Sequence, residues 1–319
     1  MPAVTVIMPA YNVEPYVGDA IVSALAQTFT DFELIVVDDG STDGTANVVA
    51  GFAEGDPRVR LVRQANRGLA GARNTALRVA RGDVLALLDS DDLWEPGFLA
   101  DQMAILHARQ EVDIVTGNAW TMGGAQDGAP ARPCPDSRRD PDLAAMLGDE
   151  FAVFIMSVFR RRVYEIVGGF DETLRTNEDY DFWLRAAVSG CRFARNPRPL
   201  GRYRVRSDSL SANEVRMLRG ILVVYGKIRP LVAGRPRELA ILDAQVERFH
   251  TEYLAAEARV ALESRDFGAA RRHLDALHAR RRGAAIGVAR VLVRVAPGIL
   301  ARMYSIRRAR TAAASAPLA

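Results

Sequence analysis

Between Leu88 and Leu93 the sequence reads Asp89-Ser90-Asp91-Asp92, and the apolar run Val84 to Leu88 leads straight into it. Carboxylates this close repel and raise one another's pKa. A hard divalent cation relieves that repulsion. Mg²⁺ or Mn²⁺ takes oxygen ligands, commonly one or two carboxylates together with phosphate oxygens of a substrate. The competing reading is a solvated turn in which an Asp caps the next helix. Three acids at the end of a five-residue apolar strand favour the cation. A second acidic group, Asn177-Glu178-Asp179-Tyr180-Asp181-Phe182-Trp183, opens a helical pattern. Acids there suit the helix dipole.

Other polar clusters follow apolar runs in the same way. Pro9-Ala10-Tyr11-Asn12 comes after the first run. Asp38-Asp39-Gly40-Ser41-Thr42-Asp43-Gly44 comes after the second, with Ser41 or Thr42 expected to cap a helix. Asn66-Arg67-Gly68 and Ala72-Arg73-Asn74 follow the third. The elements that must carry them alternate. Strands are expected at Val4–Met8, Glu33–Val37, Arg58–Arg63, Val84–Leu88 and Val112–Thr116. Helices are expected from about Val13, Thr42, Gly68 and Pro96, the last with Pro at an early helical position. Such alternation implies βαβ units and a mainly parallel sheet, with ligands at the carboxyl ends of its strands.

Residues 121–140 are rich in Gly, Pro and charge and read as a long loop. Structure resumes near Asp142, with an apolar stretch from Phe151 to Phe159, a helix from Asn177 to Ser189 and a strand from Arg198 to Val205. Beyond Ser209 the pattern is almost wholly helical. Glu238–Leu262 and Phe267–Ala279 form a hairpin-like pair.

Composition narrows the class. The protein has 319 residues, 49% hydrophobic and 25% charged, as a soluble globular protein would. Its two cysteines, Cys134 and Cys191, imply no disulfide framework and suit a reducing compartment. None of the four histidines lies in a motif, and no Cys/His cluster has zinc spacing. Met1 to Thr5 does not read as a signal peptide. No uncharged apolar stretch reaches about 18–20 residues, the length of a spanning helix. The net charge of +3 hides an asymmetry: Ser211 to Ala319 holds 20 Lys+Arg against 9 Asp+Glu, and the preceding part holds 22 against 30.

Taken in order, the segments PAYN, DDGSTDGT, NRGLAGARN, LLDSDD and GGFDETLRTNEDYDFW resemble those of the inverting nucleotide-sugar glycosyltransferases of family 2, which have the GT-A fold. The likeness covers about residues 2–211. It implies an α/β catalytic domain over 1–211, with a Rossmann-like mixed sheet, and a helical C-terminal extension over 212–319. The absence of G-x-G-x-x-G after the first strand argues against a dinucleotide-binding protein. The resemblance implies transfer of a sugar from a nucleotide diphosphate donor, UDP-sugar favoured, to an acceptor hydroxyl with inversion. The expected setting is cell-surface polysaccharide or glycolipid synthesis.

The resemblance also assigns roles. Asp39 matches the acid that binds the base edge, with Tyr11 packing on the base and Pro9 lining its pocket. Arg73 either neutralises the diphosphate or orients the metal-site carboxylates. Asp89 matches the first acid of the DxD motif and Asp91 its metal ligand, for Mn²⁺ or Mg²⁺. Asp179 matches the catalytic base. The Gly168–Glu172 turn shapes the acceptor pocket, and Trp183 either stacks on a sugar or belongs to the core. One position departs from the pattern. Where many relatives carry a histidine, in a Y-R-x-H-x-x-S-x-S context, this sequence has Arg206. Arginine cannot ligate a metal but binds phosphate in a bidentate fork, so Arg206 is expected at the diphosphate or else exposed in a loop.

The segment Arg280 to Arg310 carries nine arginines and no acid, interleaved with apolar residues. It reads either as an interfacial membrane helix or as a solvated basic face. A glycan or lipid-linked glycan acceptor is expected, and nucleic acid is not. The expected location is the cytoplasm, with peripheral contact at the inner face of the membrane under the first reading. The rival functions are a sugar-nucleotide nucleotidyltransferase, which would want a Gly-rich, Lys/Arg-bearing triphosphate loop after strand one, and a non-catalytic carbohydrate-binding protein that keeps the fold.

Overall fold

A computed structural model describes residues 1–132, 139–149, 153–206 and 208–304. Cys134, Phe151 and the end of the basic segment beyond residue 304 lie outside the described residues. One eight-stranded sheet organises the protein. Its strands are β1 (Val4–Ala10), β2 (Phe32–Asp38), β3 (Val59–Arg63), β4 (Val84–Leu87), β5 (Leu93–Trp94), β6 (Ile114–Met122), β7 (Ser157–Arg160) and β8 (Phe193–Arg204), in the order β3-β2-β1-β4-β7-β6-β8-β5. β1, β2 and β4 are buried along their whole length, as strands covered on both faces must be.

The sheet is mixed. β1 pairs in parallel with β2 and β4, β2 with β3, and β6 with β8, whereas β7 runs antiparallel to both β4 and β6. One reversed strand between β4 and β6 has a simple consequence: β1, β2, β4, β6 and β8 all point their carboxyl ends to one edge. The short β5 turns back antiparallel along β8, pairing Leu93 with Arg202. That brings the Asp89–Asp92 turn beside the end of β8.

Helices α1 (Glu14–Leu25), α2 (Thr45–Gly55), α3 (Gly68–Val79) and α4 (Phe98–Ala108) connect the early strands. Then come α5 (Leu143–Gly148), α6 (Arg161–Val167) and α7 (Glu178–Val188). The helical end of the protein comprises α8 (Glu214–Ile228), α9 (Pro236–Glu263), α10 (Phe267–Arg280) and α11 (Ala284–Val295). Two expectations shift. β6 runs on to Met122, past the expected end at Thr116, because its pairing with β8 resumes after register shifts between Thr116 and Ala119 in which β8 carries the extra residues. The following residues fold back on it, with Thr121 N–H donating to the Ala129 carbonyl and Ala131 N–H to that of Ala119, so the first part of the expected loop is ordered against the sheet. Helix α2 starts at Thr45, not Thr42. Its first N–H is accepted by the Asp43 carboxylate (3.0 Å), so Asp43 takes the capping place expected of Ser41 or Thr42.

The main hydrophobic core extends from the sheet through α8 to Ala256 in α9. Leu218, Ile221, Tyr225 and Ile228, at i, i+3, i+7 and i+10, form the buried stripe of α8. A second, small cluster joins the end of α9 to α10, α11 and Leu300. Among the described residues, no helix is long and apolar enough to cross a membrane.

Candidate active site

The shared strand edge collects the polar segments. Asp39, just past β2, is almost fully buried. Its Oδ1 accepts from Gln64 Nε2 (2.6 Å) and Arg67 N–H (2.8 Å), and its Oδ2 from Gly68 N–H (2.8 Å). Asp39 therefore fixes the turn that opens α3. A carboxylate offers about four acceptor places, so among the described residues one on Oδ2 has no partner. Asn12, in the left-handed region at φ 50°, zips the neighbouring loop: its Oδ1 accepts from Thr42 N–H (2.8 Å) and its own N–H donates to Ser41. Pro9 is buried in β1 beside this loop, and Tyr11 is 49% exposed above it.

Arg73 lies on the inner face of α3, 1% exposed. Nη2 donates to Asp89 Oδ1 (2.6 Å) and Nη1 to Glu178 Oε1 (2.5 Å), while the guanidinium sits 5.5 Å from the Phe170 ring centroid. Burial disfavours its charge, but Asp89, Glu178 and Asp179 more than compensate and hold the guanidinium ionised. Of the two expected roles, the geometry supports orientation of the carboxylates. Both terminal nitrogens are engaged, and the bridge joins the β4 acidic turn to the start of α7. On the outer side of α3, Asn74 exchanges hydrogen bonds with Phe170 and donates to Glu172 (2.9 Å), and Arg67 also donates to Glu172 (2.7 Å). The Gly168–Glu172 turn is thereby clamped beside the cleft.

Asp91 is partly buried. Burial pushes its pKa up, the neighbouring Asp89 adds to this, and Arg206 partly offsets both. Arg206 Nη1 donates to Asp91 Oδ2 (3.1 Å), its guanidinium lies 4.5 Å from the Tyr16 ring centroid, and its Nε and Nη2 hold Asp208. Arg206 thus reaches the acidic cluster, and with its side chain 13% exposed it is not the exposed loop arginine of the second reading. Asp92 is fully buried; it accepts from the Arg204 N–H (2.8 Å), and its Oδ2 has no partner among the described residues. Burial raises its pKa well above the usual range, reinforced by Asp89 and Asp91. A cleft of about 490 Å³ opens beside Arg206, lined also by Tyr203, Val205, Ser209 and Ser211.

Asp179 stands in the first turn of α7, partly buried, with Oδ1 accepting from Tyr180 N–H (2.8 Å). Burial raises its pKa and Asp89 adds to the rise, against the pull of Arg73. Glu178 is likewise raised by burial and by Asp179. Asn177 enters the helix at φ 61°. Helix α8 lies tight against that entry at Gly220, where a Cβ would strike the side chains of Thr176 and Asn177. From the same helix, Lys227 reaches Asp171 (2.6 Å) and Asp181 (2.5 Å). The helical region that follows the sheet therefore braces both the α7 entry and the 168–172 turn. Trp183 is 1% exposed and packs edge-on to Phe159 and Phe182, which places it in the core and not in a sugar site.

Hydrogen bonds and electrostatic proximity bring Arg73, Asp89, Asp91, Asp179 and Arg206 together, with Pro9, Tyr11 and Asp39 further along the same strand edge. Sequence reasoning passed over Glu178, Arg204, Tyr16, Lys227 and Gln64 as participants. Glu178 had a signal, since it adjoins the expected base at a helix start. The others had none, because their partners lie on distant segments.

A family model, "Glycosyl transferase family 2", matches residues 5–168. The protein is 32% identical over 234 residues to TuaG of Bacillus subtilis, described as a putative teichuronic acid biosynthesis glycosyltransferase; the match covers 72% of this chain and 90% of TuaG. It is also 32% identical over 193 residues to the chondroitin synthase of Escherichia coli, covering 60% of this chain but only 27% of that much longer protein. Among solved structures, S. aureus TarS 1-349 in complex with UDP-GlcNAc superposes with a TM-score of 0.63 at 20% identity, covering 96% of this chain and 92% of that one. The Pyrobaculum calidifontis mannosyltransferase PcManGT, in complex with GDP-Man and Mn²⁺, gives 0.58 at 24%, covering 98% and 84%. These likenesses establish the GT-A fold with helices at its C-terminal end. The protein belongs to glycosyl transferase family 2.

Proposed function

We propose that this protein transfers a sugar from a nucleotide diphosphate donor, UDP-sugar favoured, to a glycan or lipid-linked glycan hydroxyl, with inversion. The observation that carries the reading is the buried Arg73 bridge: it fixes Asp89, and with it the turn of Asp91, against the helix start that presents Asp179. The base lies over Tyr11, with a base N–H donating to the open place on Asp39 Oδ2 and Pro9 backing the pocket. Arg206 contacts the diphosphate with its fork. Asp179 accepts the acceptor hydroxyl proton as that oxygen attacks the anomeric carbon from the face opposite the nucleotide. The bond from that carbon to the diphosphate oxygen breaks, and the nucleoside diphosphate leaves with the electron pair. A carboxylate whose pKa is raised is the stronger base for this step.

The residues accommodate a divalent cation only in partnership with the donor. Among the described residues, no group of three or more His, Cys, Asp and Glu gathers as a metal cage. Asp91 offers a partly exposed carboxylate, and one or two carboxylates completed by phosphate oxygens is a normal Mg²⁺ or Mn²⁺ arrangement. A bound Mn²⁺ or Mg²⁺ supplies Lewis-acid charge to the departing diphosphate. The relatives support a cell-envelope polymer as the setting: one is named for chondroitin synthesis, another for teichuronic acid biosynthesis, and TarS is described in complex with UDP-GlcNAc.

Residues 1–211 form the catalytic domain of this reading, and 212–319 an extension that braces it. On α11, Val288, Val291 and Val295 are exposed along one face, followed by the exposed Ile299 and Met303, in a segment without acids. That surface suits peripheral contact with an anionic membrane at its cytoplasmic face. The test of function is a panel of nucleotide sugars with Mn²⁺, scored for transfer to lipid-linked glycans by wild type and Asp179→Asn. Loss of about 10²–10⁴ in kcat with donor KM unchanged supports the base assignment. Transfer by Asp179→Asn at the wild-type rate removes it.

A further inference from the structure

Arg206 is held where a cation would compete for Asp91. Its Nη1 donates to Asp91 Oδ2 (3.1 Å), and Asp208 accepts from its Nε (3.0 Å) and Nη2 (2.7 Å). The Tyr16 ring lies 4.5 Å from its guanidinium and 4.9 Å from that of Arg204, so one aromatic ring contacts two arginines. Arg204 Nε also donates to the Asp91 carbonyl (2.8 Å). The Arg206 side chain is only 13% exposed, whereas the Asp208 side chain that anchors it is 70% exposed. Asp91 is thus paired in the free protein with a charge of the protein itself, one that it shares with Asp208. Coulomb energy scales with the product of the charges, so a divalent ion arriving at Asp91 meets twice the repulsion from the guanidinium that a monovalent one would.

We propose that Arg206 makes cation binding and nucleotide binding mutually dependent: it occupies Asp91 in the free enzyme and exchanges that partner for the donor diphosphate, which frees Asp91 for the metal. This rests on the donor-site reading above and deepens it. Diphosphate offers the same oxygen acceptors as Asp91 with more charge, so the Nη1 that donates to one can donate to the other. The second carboxylate partner of this arginine, Asp208, is mostly solvated, so that pairing holds the side chain only weakly. Arg206 is then a positioning residue that sets the order of assembly, distinct from a ligand of the metal.

The test is a linkage measurement without turnover. Mn²⁺ binding is followed by electron paramagnetic resonance, and UDP binding by calorimetry, each with and without the other, in wild type, Arg206→Gln and Arg206→Lys. Reciprocity requires that Mn²⁺ and UDP strengthen one another by one common factor. In wild type that factor is expected to be at least about tenfold. In Arg206→Gln, Mn²⁺ alone binds at least about tenfold tighter than in wild type, UDP alone binds more weakly, and the coupling shrinks. Arg206→Lys, which keeps the charge, retains weak binding of Mn²⁺ alone and serves as the control for altered folding. Equal Mn²⁺ affinity in wild type and Arg206→Gln, with UDP-stimulated Mn²⁺ binding intact in both, overturns the exchange while leaving the donor-site reading standing. Absence of Mn²⁺ binding to wild type even with UDP overturns both.

Discussion

Arg73→Met removes the buried cation that faces Asp89 and Glu178. The Arg73 side chain is 1% exposed, Glu178 5% and Asp89 25%, so one acid is left in the interior and a second at its margin. Breaking a buried ion pair from one side costs about 3–5 kcal/mol, and loss of the contact with Phe170, at 5.5 Å, adds about 0.5–1 kcal/mol. At about 2.1 cal/mol/K per residue, a protein of 319 residues has an unfolding entropy of roughly 0.7 kcal/mol/K. The melting temperature should therefore fall by roughly 5–9 °C. Two further measurements separate charge from packing. Glu178→Gln in the Arg73→Met background should restore about 1–3 kcal/mol, whereas the same change in wild type should destabilise. Acidification should also rescue the mutant. Without the guanidinium the folded pKa of Glu178 rises further, so stability lost as pH rises through that pKa is regained below it. Circular-dichroism melts at about pH 8 and about pH 5.5 read both effects. A loss under about 1 kcal/mol, or identical effects of Glu178→Gln in the two backgrounds, would refute the bridge as the element that holds the site together.

Since burial raises the Asp179 pKa and Asp89 adds to it, the acid limb of kcat/KM should lie above the ordinary aspartate range near about 3.9. Asp89→Asn should move that limb to lower pH even as the rate falls; a pH-rate profile with the limb unmoved contradicts the assignment. Truncation distinguishes the two hydrophobic clusters. A variant ending at Ser264 keeps the main core and should melt within a few degrees of the full-length protein, with nucleotide affinity changed by no more than about twofold. A variant ending at Ser211 strips Leu218, Ile221, Tyr225 and Phe249 from that core and should not fold. Full-length protein should sediment with anionic liposomes and the variant ending at Ser264 should not; equal sedimentation ends the membrane reading.

Local chemistry made much of the molecule legible. Four apolar runs ending in polar clusters marked most of the strands that carry the site, because each strand and the turn after it are encoded within about a dozen residues. The acidic turn at 89–92 announced itself by residue type, whereas Asp179 and Arg206 stood out only against the family pattern, and Glu178 was passed over. What the sequence could not state was partnership. Arg73 meets Glu178 across 105 positions and Arg206 meets Asp91 across 115. Those meetings depend on the strand order β4-β7-β6-β8-β5 and on the reversal of β7, which brings the ends of β4 and β8 to one edge. Trp183 shows the limit from the other side. An aromatic after an acid pair suits a sugar platform or a core equally well, and only the packing of α7 on Phe159 decides. The reach of α8 into the α7 entry was likewise invisible, because a lysine at 227 and a glycine at 220 have no local reason to be where they are. Residue types determine which groups are present and what each is able to do, since that is a property of the side chain. Which of them share a cleft is a property of the folded sheet, where burial and long-range pairing are settled together.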